Sequence, residues 1–473
     1  MIPLTLAEIA DVVSGRMHDI PDAEQVVTGP VVRDSRDVRP GGLFVAFRGE
    51  RADGHEFAGQ AVADGAVAVL ATRPVGVPAI VVDDVTAALG ALARHVVGRL
   101  GATVVGLTGS AGKTSTKDLL AQLLQRLGPT VWTPGSLNNE IGLPLTALSA
   151  ESGTRHLVLE MGARGVGHIR YLTGLTPPRI GVVLNVGSAH IGEFGGREQI
   201  AQAKGELVEA LPPAEEGGIA VLNADDPLVR AMRARTDARI VLFGESADAL
   251  IRAENVRLTR KGQPAFTLHT PTGCSDVTMR LYGEHHVSNA LAAAAVAHEL
   301  GMSADGIAEA LSAADTLSRW RMEVTERADG VTVVNDAYNA NPESMRAALR
   351  ALVAIAGGDG MGEGRRTWAV LGEMAELGED SLAEHDAVGR LAVRLNVSKL
   401  VAVGGREAAW LDMGAKNEGS WGEESVHVSD AQAAIDLLRD ELRPGDVVLV
   451  KASRSAGLEK VALALVEGEV AAR

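Results

Sequence analysis

The chain has 473 residues, 46% of them hydrophobic and 22% charged, with a formal charge of −16. That length exceeds what one hydrophobic core supports, so several domains are expected. The acidic balance argues against a nucleic-acid-binding face, no apolar run reaches the roughly 18 residues of a membrane span, and Cys274, the single cysteine, excludes an intramolecular disulfide and suits a reducing cytoplasm.

The first segment, MIPLTLAEIADVV, carries two acids and no early Lys or Arg, so it does not read as a secretory signal. Thr5 and Glu8 fit a capping box for a short helix through Ile9, Val12 and Val13, stopped by Gly15. Short β-rich pieces are expected at Val26–Val32 and Gly42–Phe47, a helical run at Phe57–Gly65, and strands at Ala66–Leu70 and Ala79–Val82. No long periodic helix is expected in the first hundred residues. From Ala102 apolar strands alternate with helices. The strands fall at Thr103–Leu107, His156–Met161, Ile180–Val186 and Ile219–Asn223. Lys113–Gly128 between the first two places Leu119, Leu120, Leu123, Leu124 and Leu127 on one helical face. Such alternation specifies a parallel sheet with right-handed crossovers. A second series begins near Leu317, with strands at Val331–Asn335, Trp368–Leu371, Leu400–Val403 and Val447–Val450. Its helices fit Pro342–Ala356, Glu384–Leu395 and Asp430–Leu442, while Gly357–Arg366 and Gly414–Glu424 read as loops by composition. The expectation is an α/β protein of three domains: a small mixed α/β unit at 1–100, a central parallel-sheet unit at 101–315, and a Rossmann-like α/β unit at 316–473.

Between the strand at Thr103–Leu107 and its helix lies Thr108-Gly109-Ser110-Ala111-Gly112-Lys113-Thr114, followed by Ser115. Glycines let successive N–H groups turn toward a phosphate, and the helix N-terminus adds its dipole. Lys113 would then serve the β- and γ-phosphates and the Thr114 hydroxyl a Mg²⁺ ion. Leu107 stands where the usual phosphate-loop pattern has its first glycine. Glu160, ending the neighbouring strand in Leu157-Val-Leu-Glu160-Met-Gly162, would point into the same crevice and is the candidate second Mg²⁺ ligand. These features specify a nucleoside triphosphate and Mg²⁺, and leave open a ligase or kinase against a switch-type NTPase.

Further motifs carry a resemblance. They are Asp34-Ser35-Arg36, Pro40-Gly-Gly-Leu-Phe-Val-Ala46 and Asp53-Gly-His55; Asn138-Asn139-Glu140-Ile-Gly142; Asn185-Val-Gly-Ser-Ala-His190; Ala203-Lys204-Gly205-Glu206; Asn335-Asp336-Ala-Tyr338-Asn339-Ala-Asn341-Pro342-Glu-Ser344-Met345; and Leu371-Gly-Glu-Met374-Ala-Glu376-Leu-Gly378. Over essentially its whole length the chain resembles the Mur ligase family, whose members also lack the first phosphate-loop glycine. The last two stretches resemble the member that adds D-alanyl-D-alanine to a UDP-N-acetylmuramoyl-tripeptide. The Asp-Asn-Pro-Arg motif expected of the tripeptide-forming ligase is absent. Ala452, in Lys451-Ala452-Ser453-Arg454, stands where the family pattern leads one to expect glycine.

The resemblance implies ATP-driven amide formation through an acyl phosphate. Lys113 would neutralise the meeting anions, with Asn139, or its neighbour Asn138, near the reacting phosphate. His190 would help hold a second Mg²⁺, and Lys204 is expected to carry a carbamate that orients that ion, the alternative being an unmodified lysine paired with Glu206. Asn289 would contact adenine, Asp336 the ribose and Arg321 a phosphate, while Tyr338, Asn339, Asn341 and Ser344 would line the dipeptide pocket. Asn341-Pro342 also reads simply as a helix start. Ser35, Arg36 and His55 would serve the UDP-precursor, although Asp34 and Arg36 equally suit a loop ion pair. The implied protein is a cytoplasmic monomer that closes its third unit over ATP. The alternatives are another Mur-type ligase, such as the tripeptide-forming one, and a P-loop NTPase that ligates nothing.

Overall fold

A computed structural model describes residues 1–49, 52–187, 191–357, 364–419 and 424–467. Three large sheets organise them.

The first has five strands in the order Arg16–His18, Ala79–Val81, Ala66–Ala71, Gly42–Val45 and Val31–Val32, and only the Arg16–His18 edge is antiparallel. The opening helix, Leu6–Val12, carries the expected capping box between Thr5 and Glu8. A 15-residue helix, Val85–Arg99, corrects the expectation that no long helix occurs in this region. Asp84 caps it by accepting from the N–H groups of Thr86 and Ala87. Its buried face mixes Leu89, Leu92 and Val96 with Ala88, Gly90 and Ala93, so small residues dilute the periodic signal. Smallness has a use there, because a Cβ on Gly90 would stand 2.8 Å from Leu175 Cδ2 on the facing helix His168–Leu175.

The central sheet has nine strands in the order Gly273–Thr278, Pro264–Thr270, Ile251–Leu258, Arg239–Gly244, Ile219–Asn223, Ile180–Val183, Thr103–Thr108, His156–Glu160 and Thr130–Trp132. Neighbours are parallel except in the two pairings made by Pro264–Thr270. That antiparallel end was not foreseen, and Ile180–Val183 stops three residues short of the expected strand. Thr103–Thr108 lies between His156–Glu160 and Ile180–Val183, with Leu107 opposite Glu160 and Thr108 opposite Val183. The phosphate-loop strand, Glu160 and the turn holding Asn185 therefore end at one crevice, where open α/β sheets bind ligands. Leu107, in the first-glycine position, is wholly buried in the core beneath.

The third sheet has six strands in the order Glu323–Glu326, Thr332–Asn335, Val447–Lys451, Thr367–Leu371, Lys399–Val403 and Ser425–Val428, antiparallel only at Glu323–Glu326. Its helices include Pro342–Ile355, Ser381–Arg394, Arg406–Glu418 and Ala431–Glu441. The expected loop at Gly414–Glu424 is corrected, because residues 414–418 complete the helix Arg406–Glu418. Gly414 is a packing glycine: a Cβ there would stand 2.2 Å from the Asp386 carbonyl, and one on Gly389 would stand 2.0 Å from the Leu411 carbonyl. Two helices cross where neither can carry a side chain, a spacing that composition alone mistakes for a turn. Parts of this stretch and of Gly357–Arg366 lie outside the described residues. Among the described residues, no helix is long and apolar enough to cross a membrane.

Candidate active site

A cleft of about 560 Å³ opens at the carboxyl end of the central sheet and is lined by residues near all three sheets. Its floor is the loop from Thr108 to Ser115. Gly112, at φ +80°, turns the chain into the helix Lys113–Gln125 in a conformation that favours glycine, and a Cβ there would stand 2.4 Å from Asn289 Oδ1 and displace that side chain. Asn289 thus lies against the loop from the helix His286–Glu299. Asn185 Oδ1 accepts from the N–H groups of both Ser110 and Ala111, at 2.9 Å each, and Ser110 Oγ accepts from Gly187 N at 2.9 Å. The Thr108 hydroxyl is buried and donates to the Met161 carbonyl at 2.9 Å.

Lys113 Nζ folds back onto the Gly109 carbonyl at 2.9 Å. Burial lowers its pKa, Glu160 opposes that shift and Arg321 adds to it. Glu160 is wholly buried and accepts from every side: Oε2 from the Thr114 hydroxyl at 3.0 Å, Oε1 from Ser136 Oγ at 3.0 Å and from Asn138 Nδ2 at 2.7 Å. The two asparagines left open by sequence differ here. Asn138 holds the carboxylate, whereas Asn139 Oδ1 accepts from the N–H groups of Ile141 (3.3 Å) and Gly142 (2.9 Å) at the start of the helix Gly142–Leu148. Both line the cleft.

Lys204 is 5% exposed and lines the same cleft. Burial, reinforced by Lys113, pushes its pKa well below the usual 10.5. Among the described residues it has no hydrogen-bond or ion-pair partner. Glu206, the partner weighed for it, instead accepts from the N–H groups of Gly167 and Arg170. His190 lies outside the described residues.

The third sheet supplies the opposite wall. Arg321 reaches the Thr114 hydroxyl (Nη2 to Oγ1, 3.3 Å) and stacks over the Tyr338 ring at 4.2 Å. Asn341 caps the helix Pro342–Ile355 in a capping box with Ser344, and its Nδ2 approaches the Ser110 carbonyl at 3.4 Å. Tyr338, Asn339, Asn341 and Ser344 all line the cleft. Asp336 does not. Its carboxylate pairs with buried Lys451 at 2.6 Å and accepts from Met322 N, while Lys451 also donates to the Asn339 carbonyl.

In the first sheet the expected precursor contacts stay apart from the cleft. Arg36 pairs with Asp34 at 2.5 Å and is almost fully exposed, and its hydrogen bonds hold the Asp34 carboxyl down at about 2. His55, expected to serve the precursor, is buried here: Nδ1 meets Asp53 Oδ1 at 2.6 Å and Nε2 accepts from Thr72 N at 3.0 Å. Arg33 lines the cleft instead. Sequence reasoning also missed Ser136, Arg164 and His168. Asn185, Lys451 and Arg454 stood only within quoted motifs, since nothing in a linear pattern shows which loop residues converge.

Fold and cleft together define a P-loop α/β enzyme in which a third sheet reaches over the nucleotide loop. Residues 31–97 match the family model for the Mur ligase family catalytic domain, 107–297 that for the Mur ligase middle domain, and 320–454 that for the Mur ligase glutamate ligase domain. The UDP-N-acetylmuramoyl-tripeptide--D-alanyl-D-alanine ligase of Mycobacterium tuberculosis (strain ATCC 25618 / H37Rv) is 52% identical over 98% of both chains. Among solved structures, MurF from Acinetobacter baumannii superposes with a TM-score of 0.86 at 32% identity, covering 98% of this chain and 99% of that one. MurF ligase from Thermotoga maritima in complex with ADP does so at 0.79 and 32%, covering 94% and 99%. The chain belongs to the Mur ligase family.

Proposed function

We propose that this protein is the ATP-dependent amide ligase that joins D-alanyl-D-alanine to UDP-N-acetylmuramoyl-tripeptide. The observation that carries the reading is the meeting of Lys113, Thr114 and Glu160 with Arg321 and Asn341 across one cleft, in a chain alike over its full length to ligases of that name. The peptide's terminal carboxylate oxygen attacks the γ-phosphorus of ATP, the bond to the bridging oxygen breaks and ADP leaves. The dipeptide's amine then attacks the acyl carbon, inorganic phosphate leaves, and the nitrogen's surplus proton is lost. The first step brings two anions together, so positioning and charge neutralisation dominate. Lys113 and Arg321 supply fixed positive charge, and Asn341 ties the third sheet to the loop.

Mg²⁺ fits this site. Among the described residues no cluster of three His, Cys, Asp or Glu side chains is preassembled, and Mg²⁺ commonly takes one or two protein oxygens with phosphates and water completing its shell. Thr114 and Glu160 would hold it, and when bound it would neutralise charge on the phosphate oxygens. A second ion would rest on His190 and on Lys204 as a carbamate. The weakly basic Lys204 amine, without a hydrogen-bond or ion-pair partner among the described residues, supports that chemistry, because only a neutral amine adds CO₂. We assign the three units to 1–100, 101–315 and 316–473, with Ser35 and Arg36 facing the UDP-precursor, Asn289 the adenine, and Asp336 the ribose once Lys451 yields it. We place the enzyme in the cytoplasm as a monomer. The test is phosphate release from ATP with each substrate withheld in turn, in wild type and Lys113→Ala. Release that needs both substrates and disappears in the variant supports ligation; release indifferent to both points to a non-ligating NTPase.

A further inference from the structure

This inference rests on the ligase reading and adds to it a way of recognising the acceptor. In a chain with 61 acids against 45 Lys and Arg, a guanidinium on the surface readily finds a carboxylate, and Arg36, Arg170 and Arg235 all do. Arg33 and Arg164 do not. Both are exposed, both line the cleft, and neither side chain has a hydrogen-bond or ion-pair partner among the described residues. They come from different sheets. Arg33 follows the strand Val31–Val32, which packs against the helix Gly142–Leu148 behind Asn139. Arg164 follows the Glu160 strand, with its backbone N–H held by His168 Nδ1 at 3.3 Å. Of the nearby acids, Asp34 is engaged by Arg36, and Glu140 Oε2 lies 3.4 Å from His168 Nε2.

We propose that Arg33 and Arg164 together clamp a carboxylate of the acceptor peptide other than the one that reacts. Arginine stays charged at any working pH and presents a planar fork matched to a carboxylate. The acceptor offers two sources for that group, the α-carboxylate of a γ-linked acidic residue and a second carboxylate on the side chain of a diamino diacid. The two cations line the cleft whose floor is the phosphate loop, where the peptide end must arrive, and this favours the peptide over the sugar diphosphate.

Steady-state kinetics on Arg33→Ala, Arg164→Ala and the matching Lys variants test it. The acceptors are UDP-muramoyl tripeptides ending in diaminopimelate or in lysine. Each Ala variant should raise KM for the acceptor by about 10- to 100-fold, the loss typical of a charge-assisted contact, with kcat and the KM for ATP close to wild type and partial recovery in the Lys variants. A loss confined to the diaminopimelate acceptor assigns the clamp to the side-chain carboxylate; equal losses on both acceptors assign it to the α-carboxylate. Competition by peptide-free UDP-N-acetylmuramic acid should be unchanged. If that competition weakens in step, the anion is the diphosphate and the proposal is overturned, as it is by an unchanged acceptor KM. Wild type without ligase activity would instead sink the ligase reading.

Discussion

Glu160→Gln isolates charge from shape. Every contact to the Glu160 carboxylate is a donor: Thr114 Oγ1, Ser136 Oγ and Asn138 Nδ2. A glutamine there keeps one oxygen for Asn138 and Ser136, while its amide nitrogen can donate to the Thr114 hydroxyl, which needs only to rotate. The packing is therefore preserved, and thermal unfolding should move little. What disappears is a full negative charge in a wholly buried position, one that supports the charge of Lys113 and would hold Mg²⁺. Removing one preorganised electrostatic group from a water-poor site costs about 100- to 1000-fold in kcat, roughly 2.7–4 kcal/mol. The assay is ADP formation with both substrates across a Mg²⁺ titration, and the half-saturating Mg²⁺ concentration should rise as kcat falls. Activity within a few-fold of wild type at low Mg²⁺ would refute the reasoning, because the acid would then be structural.

Two further predictions follow from buried groups. Lys204→Ala should lose about 100-fold or more of kcat, with partial recovery on adding formate or acetate; no recovery, together with an unmodified lysine by mass spectrometry, counts against the carbamate. The sign with pH is set by the lowered pKa. Between that value and the ordinary 10.5 the unfolded chain holds a proton that the folded amine lacks, so this lysine's contribution to stability rises with pH, and CO₂ uptake should persist at lower pH than for an exposed lysine. Gly414→Ala should destabilise by about 1–3 kcal/mol through overpacking, read by chemical denaturation, since its Cβ would meet the Asp386 carbonyl at 2.2 Å. Adding Gly389→Ala should give less than the sum, because both glycines serve one helix crossing; full additivity would mean that they act separately.

Much of the fold was legible because apolar runs of four to six residues between turn signals leave few other assignments. The strands at Thr103–Thr108, His156–Glu160, Ile219–Asn223 and Val447–Lys451 lie within a residue of their expected ends. The failures share a cause. Val85–Arg99 and Arg406–Glu418 are helices whose faces hold Ala and Gly where a partner comes close, so the residues that make the packing possible erase the periodic signal that would announce it. The antiparallel strand Gly273–Thr278 is the sheet edge and is polar at many positions, as an edge should be, so it gives little apolar signal, and Pro264–Thr270 beside it carries Thr267, His269 and Thr270.

The site divides in the same way. Residues fixed by a local backbone requirement could be read from order alone: Gly112 by its positive φ, Lys113 and Thr114 by their place at a helix start, Glu160 by its strand end. Residues whose role depends on another segment could not. Asn138 differs from Asn139 only because the strand carrying Glu160 passes beside it. Asp336 is committed to Lys451, 115 positions along the chain. Arg33 faces the cleft while Arg36, three residues later, faces solvent. A motif marks where chemistry is anchored, but the choice among its polar residues is made by tertiary neighbours. For this enzyme those neighbours come from three sheets at once, so a pattern read along one of them leaves the other two walls of the cleft unseen.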